Sequence, residues 1–233
     1  MTKNKSRKQS FNTKFVILLL VIITLIFSLL LTFFINSKNK APENMSQQNV
    51  EEYSNLDPET KALVLSSQQK LNQIRTIVEI ENPTESQNNK LVSTIQSTIY
   101  DAQEAVKTQP DVPETWINLA RVYRQLSDLQ PNANALAEKA LIQAIEVAPE
   151  NYLAYYEISG FYFQSGRYTE AEEEILKAIE LNPSNPGLHH NLANIYKQTN
   201  QIQKAKESLF EAIALYPDGS QEKMNAEQEL QNL

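Results

Sequence analysis

The 233-residue chain has no cysteine, only four glycines, two histidines and one tryptophan. Without thiols there are no disulfides and no cysteine-ligated metal sites, and the redox compartment leaves no mark. Scarce glycine argues against short-stranded folds, which spend glycine on their turns. Ala, Leu, Glu, Gln and Lys are plentiful instead, and they favour helix. The two histidines, His189 and His190, are neighbours. On a helix they point about 100° apart and cannot face one metal together. There is no glycine-rich phosphate loop, nucleophile elbow or zinc-ligand spacing, so neither a catalytic centre nor a cofactor is expected.

Acidic residues are missing from the first 40 positions. Seven of the 21 basic residues lie there, which leaves 14 basic against 28 acidic side chains in residues 41–233. So acidic a segment repels phosphate backbones, and nucleic acid is not expected as a partner.

Long apolar runs are also rare, with one exception. From Phe15 to Ile35 only Thr24, Ser28 and Thr32 are polar. As a helix these 21 residues reach roughly 31 Å, enough to cross a bilayer. A cleaved secretory signal is the alternative, but its apolar stretch is usually about 7–15 residues and no clear cleavage site follows here. Five basic residues precede the run and Lys38 and Lys40 follow it. That bias keeps the N-terminus cytoplasmic and sends the rest across the membrane, to a periplasmic or other extracytoplasmic location in the cell envelope. Thr24, Ser28 and Thr32 share one face of the span, either as a dimerisation surface or simply bonding back to their own helix. The expected organisation is a basic tail (1–14), a transmembrane helix (15–35) and a polar flexible linker (36–57).

Beyond residue 57 the polar–apolar pattern is helical throughout. Leu63, Leu71, Ile74 and Val78 form one stripe before Pro83. Leu91, Ile95, Ile99, Ala102 and Val106 form another before Pro110. Both have helical spacing. Pro149, Pro183 and Pro217 then recur 34 residues apart. Ala144, Ala178 and Ala212 lie five positions before them, and Ala137, Ala171 and Ala205 lie twelve before. Leu141, Ile175 and Leu209 repeat between those two sets, while Tyr162 and Tyr196 align farther upstream.

With Trp116, Leu119-Ala120 and Tyr123, then Tyr155, Ile158-Ser159 and Tyr162, then His189, Leu192-Ala193 and Tyr196, the segment 113–217 resembles the tetratricopeptide repeat (TPR) family. The resemblance implies an all-α solenoid of helical hairpins. Three repeats (111–217) follow an N-terminal hairpin or degenerate repeat (58–110), and a C-terminal capping helix (218–233) closes the stack. The alanines belong at close helix contacts, Asn151 and Asn185 at helix N-caps, and Gly166 at a helix end. Repeat one departs from the pattern by five extra residues within 127–134, around Gln130-Pro131-Asn132. The acidic run Glu170, Glu172, Glu173 and Glu174 reads as a solvated face.

In the family the first helix of each repeat lines a concave groove that holds a partner protein. Carried onto this chain, the groove residues are Ile117, Arg121 and Arg124, then Tyr156, Gly160 and Phe163, then His190, Asn194 and Lys197. Relatives that clamp acidic chaperone tails use a defined basic set, and Ile117 and Gly187 stand where two of its members belong, so that ligand is not implied. The implied function is a non-enzymatic, membrane-tethered adaptor or scaffold of the envelope with a protein partner. The alternatives are a self-associating component of an envelope assembly, in which the span or groove binds another copy, and an accessory subunit of an envelope enzyme.

Overall fold

The computed structural model describes residues 53–233; the basic tail, the apolar run 15–35 and most of the linker lie outside the described residues. Among the described residues there are nine helices and no strand: α1 Pro58–Val78, α2 Glu85–Thr108, α3 Pro113–Gln125, α4 Ala133–Val147, α5 Tyr152–Gln164, α6 Tyr168–Leu181, α7 Pro186–Gln198, α8 Ile202–Leu215 and α9 Gln221–Gln231. None of them is long and apolar enough to cross a membrane.

Five of the nine described helices, α1, α2, α5, α7 and α9, start at a side chain that satisfies free amides. The Asp57 carboxylate accepts from the amides of Glu59 and Thr60, both at 2.9 Å, with Pro58 in the first turn. Thr84 and Gln87 form a reciprocal capping box on α2. Asn151 and Asn185 cap α5 and α7 through Leu153 and Gly187, as the sequence predicts.

The turns inside the repeats obey a rule that the sequence shows only at Gly166. Asn132, Gly166 and Asn200 lie 34 residues apart, and all three adopt positive φ, at 61°, 74° and 58°. After Gly166 and Asn200 the chain closes back on its helix, Arg167 N–H donating to Tyr162 and Gln201 N–H to Tyr196. That is the αL ending that glycine and asparagine accept at least cost. Repeat one is therefore back in register by Asn132. Its five extra residues lie before that asparagine, where Leu126 is fully buried and fixes the insertion to the core.

Consecutive helices pack as antiparallel hairpins, α1 with α2, α3 with α4, α5 with α6 and α7 with α8. At their contacts Ala137, Ala144, Ala171, Ala178, Ala205 and Ala212 have no solvent exposure. The first helices also touch in succession, α1 with α3 and α3 with α5, and the described second helices show no comparable contact. The first-helix side is thus the narrow, concave side of the solenoid.

One expectation needs correction. The linker was expected to run to residue 57, but Tyr53 and Leu56 are buried beside Val64 and Ala105. An aromatic and a leucine within a polar stretch were enough to bind its last residues to the hairpin.

Candidate protein-binding face

In the first and third repeats the first helix carries, near its start, a side chain that ties it to the preceding loop. Trp116 Nε1–H donates to the Pro110 carbonyl at 2.8 Å, and His189 Nε2 meets the Pro183 carbonyl at the same distance. A carbonyl only accepts, so the proton sits on Nε2 of His189 and the imidazole does the work of an indole N–H. At the position where the first repeat has Trp116, His189 thus contributes a hydrogen bond to the preceding loop.

Two residues later each first helix carries a polar residue that reaches back to the previous first helix. Asn118 Nδ2 donates to Ser67 of α1 at 3.1 Å, and Asn191 of α7 lies close to Tyr156 of α5. Glu157 of α5 takes both arginines of α3. Its Oε1 accepts from Arg121 Nε at 2.9 Å and NH2 at 2.6 Å, and its Oε2 from Arg124 NH1 at 2.9 Å. Arg121 also donates to the Tyr53 hydroxyl at 3.1 Å, which accepts from Gln68 at 2.7 Å as well. Burial pushes the Glu157 carboxyl up, and the charges and hydrogen bonds of Arg121 and Arg124 more than reverse it, holding it ionised.

The far end has a similar arrangement from different parts. Glu229 of α9 lies between His190 Nε2 at 3.0 Å and Lys197 Nζ at 2.6 Å. The hydrogen bond from His190 does most to lower its pKa, to about 2; burial opposes this and Lys197 adds to it. His190 Nδ1 meets the Tyr216 hydroxyl at 3.1 Å. Burial first, and then nearby acids, push that phenol up to about 12.

Between these clusters lies α5. Tyr156 and Phe163 are half-buried, and the Phe163 ring packs edge-on against Tyr168 at 5.6 Å. At Gly160 an added Cβ would meet no atom of the described residues within 4 Å apart from its own helix. Asn194 of α7 is also half-buried.

The structure therefore brings most of the nine groove residues to one side but changes their roles. Ile117 has no exposure and clusters with Ala144 and Ala154, so it lines no groove. Arg121, Arg124 and Lys197 were expected to meet partner carboxylates, and they already meet carboxylates of this chain. Sequence reasoning missed Glu157 and Glu229. The signal for Glu157 was present: it is the one charged residue in the otherwise apolar and polar-neutral α5. No group of three His, Asp or Glu among the described residues is arranged to hold a metal ion. Of the acidic run of α6 Glu173 is exposed and the other three are half-buried, with Glu170 paired to Arg167 and Glu174 to Lys177.

Comparison with known proteins agrees on the repeats. A family model described as TPR repeat matches residues 161–200, and one described as tetratricopeptide repeat matches 186–218. Among solved structures the chain is similar to TTC0263, a thermophilic TPR protein of Thermus thermophilus, with a TM-score of 0.54. The two share 17% identity over 75% of this chain and 100% of the other. MamA is similar at TM-score 0.47 and 18% identity, over 65% of this chain and 88% of that one. No curated protein matches.

Proposed function

We propose that this TPR solenoid is a protein-binding scaffold, tethered to a membrane by residues 15–35, that grips a partner segment on the α5–α7 part of its inner face and catalyses no reaction itself. The observation that carries the reading is Gly160. A glycine in a helix interior costs about 1 kcal/mol relative to alanine, and nothing among the described residues stands where its Cβ would be. Packing among those residues does not call for it. Close approach by another backbone does.

Tyr156 and Phe163 flank that bare stretch of helix, one turn to either side, and supply apolar area with a hydroxyl. At both ends a glutamate of this chain already engages the basic side chains, so this partner is held chiefly by apolar contact and amide hydrogen bonding. The tether rests on the apolar run and the basic residues before it. Those basic residues also support an extracytoplasmic location for the solenoid. An enzymatic reporter fused after Leu233 should then behave as translocated, and a cytoplasmic reporter would reverse the topology.

Gly160→Leu tests the binding face. The added Cβ meets no described residue and leucine is a better helix former than glycine, so the fold should persist by circular dichroism. A photo-crosslinker at Asn194 should capture a discrete partner from native membranes in the parent chain and lose it in Gly160→Leu. Unchanged capture from Asn194, or capture only from a crosslinker at Glu173 on the outer surface, would overturn the proposal.

A further inference from the structure

The last described helix reaches two residues of the same face, His190 and Lys197, and buries fewer of its own residues than any other described helix. Only Ala226 of α9 is buried, whereas α7 beneath it buries Leu188, Leu192, Ala193, Ile195 and Tyr196. At 11 residues α9 is too short to sustain itself in water. It follows a turn in which Gly219 has φ 75°, with open space where a Cβ would be, and so keeps backbone freedom at its base. What fixes it is Ala226 in a cluster with Ala193 and Leu209, the partly buried Leu230 and Leu233, and the Glu229 carboxylate between His190 and Lys197. Of the three groove residues of the last repeat, α9 occupies two.

We propose that α9 is a displaceable occupant of the inner face, and that the segment replacing it is a short amphipathic helix with the same three contacts. Resting on the groove reading above, this narrows the chemistry of the partner. The floor beneath α9 is alanine and leucine, so the incoming helix presents a small residue there. One turn later it carries a carboxylate for His190 and Lys197, and directly after that an aliphatic residue, in the pattern of Ala226, Glu229 and Leu230. Opening α9 in the absence of a partner leaves Lys197 without its carboxylate and uncovers Ala193 and Leu209, so the lid stays closed until a competitor supplies both. A segment lacking the carboxylate gains too little to displace it.

The probe is a fluorescent peptide copying residues 218–233, titrated into the full chain in lipid nanodiscs. It competes with the attached α9, so wild type should bind it weakly. A chain carrying Glu229→Ala, whose own lid is loosened, should bind it about tenfold more tightly, the scale of one charge-assisted contact. A peptide with the same substitution should lose about tenfold on that receptor. In wild type under saturating peptide, hydrogen exchange should rise in α9 and stay unchanged in α7 and α8, a measurement that needs no variant. Equal peptide affinity for both chains, or α9 amides that stay protected with peptide bound, makes α9 a fixed cap and overturns the proposal. Because the probe is the chain's own sequence, that result is separate from the Gly160→Leu test, which alone decides whether the groove takes a partner.

Discussion

Arg121 and Arg124 at one end of the inner face, and His190 and Lys197 at the other, are each bridged by one glutamate. Glu157 comes from the middle of α5, a helix held in place on both sides, and its own side chain is 9% exposed. Glu229 comes from the third-last position of the chain's last turn of helix and is 23% exposed. The same ion-pair chemistry thus makes a fixed wall in one place and a removable contact in the other. What differs is how much apolar burial stands behind the carboxylate, since the pairing alone contributes little once its desolvation is counted.

The largest expected effect removes the backing common to both ends. Ala178 of α6 has no exposure in the most regular repeat. Ala178→Arg forces a long charged side chain into that junction and should cost about 4 kcal/mol or more by overpacking and charge burial. Urea denaturation should show both ends lost in one transition. A surviving Glu157 cluster would mean that the two ends are not mechanically joined.

Next is the direct contrast. Glu157→Gln leaves two half-buried guanidinium groups without a full counter-charge and should cost about 3 kcal/mol. Glu229→Gln acts at a more exposed site and should cost under about 1 kcal/mol. Similar losses in denaturation experiments would erase the distinction between wall and lid.

Acid should sharpen it. The Glu229 pKa is lowered from 4.5 to about 2. A carboxylate lowered on folding stabilises the folded state above its unfolded value, and that contribution disappears as pH falls through the folded one. The attachment of α9 should therefore be intact above about pH 4.5 and weaken progressively toward pH 2, read as faster exchange of α9 amides while those of α7 remain slow. An α9 equally protected at pH 2.5 and pH 6 would show that Ala226 and Leu230 hold it without the carboxylate.

These contrasts also mark what the sequence made legible. The 34-residue spacing of prolines and alanines placed the repeats, because a helix contact too close for anything larger than alanine is a local demand that recurs in every unit. Caps such as Asn151 and Asn185 were legible for the same reason. The groove chemistry was less so. Position within a repeat places Arg121 on the inner face, but whether it is available depends on the helix 36 residues later, which supplies Glu157. Ile117 shows the same limit: the repeat rule puts it in the groove, and the neighbouring hairpin buries it. Gly160 fell between the two, visible as an odd helix residue but interpretable only once the space around it was known.

The smallest expected effect is a control on the convex side. Glu173 is exposed near the start of α6, beyond the first turn where the helix dipole would favour a carboxylate. Glu173→Arg changes the charge by two units, yet its helical neighbours offset one another. It loses an attractive spacing to Lys177 four residues on and gains one to Glu170 three residues back, each worth about 0.2–0.5 kcal/mol. Stability by urea denaturation should therefore shift by no more than about 0.5 kcal/mol, and binding of the α9 peptide should be unchanged. A loss near that of Glu157→Gln would place Glu173 against another element of the solenoid. The assignment of second helices to the outside would then fail, and with it the inner face on which wall and lid were compared.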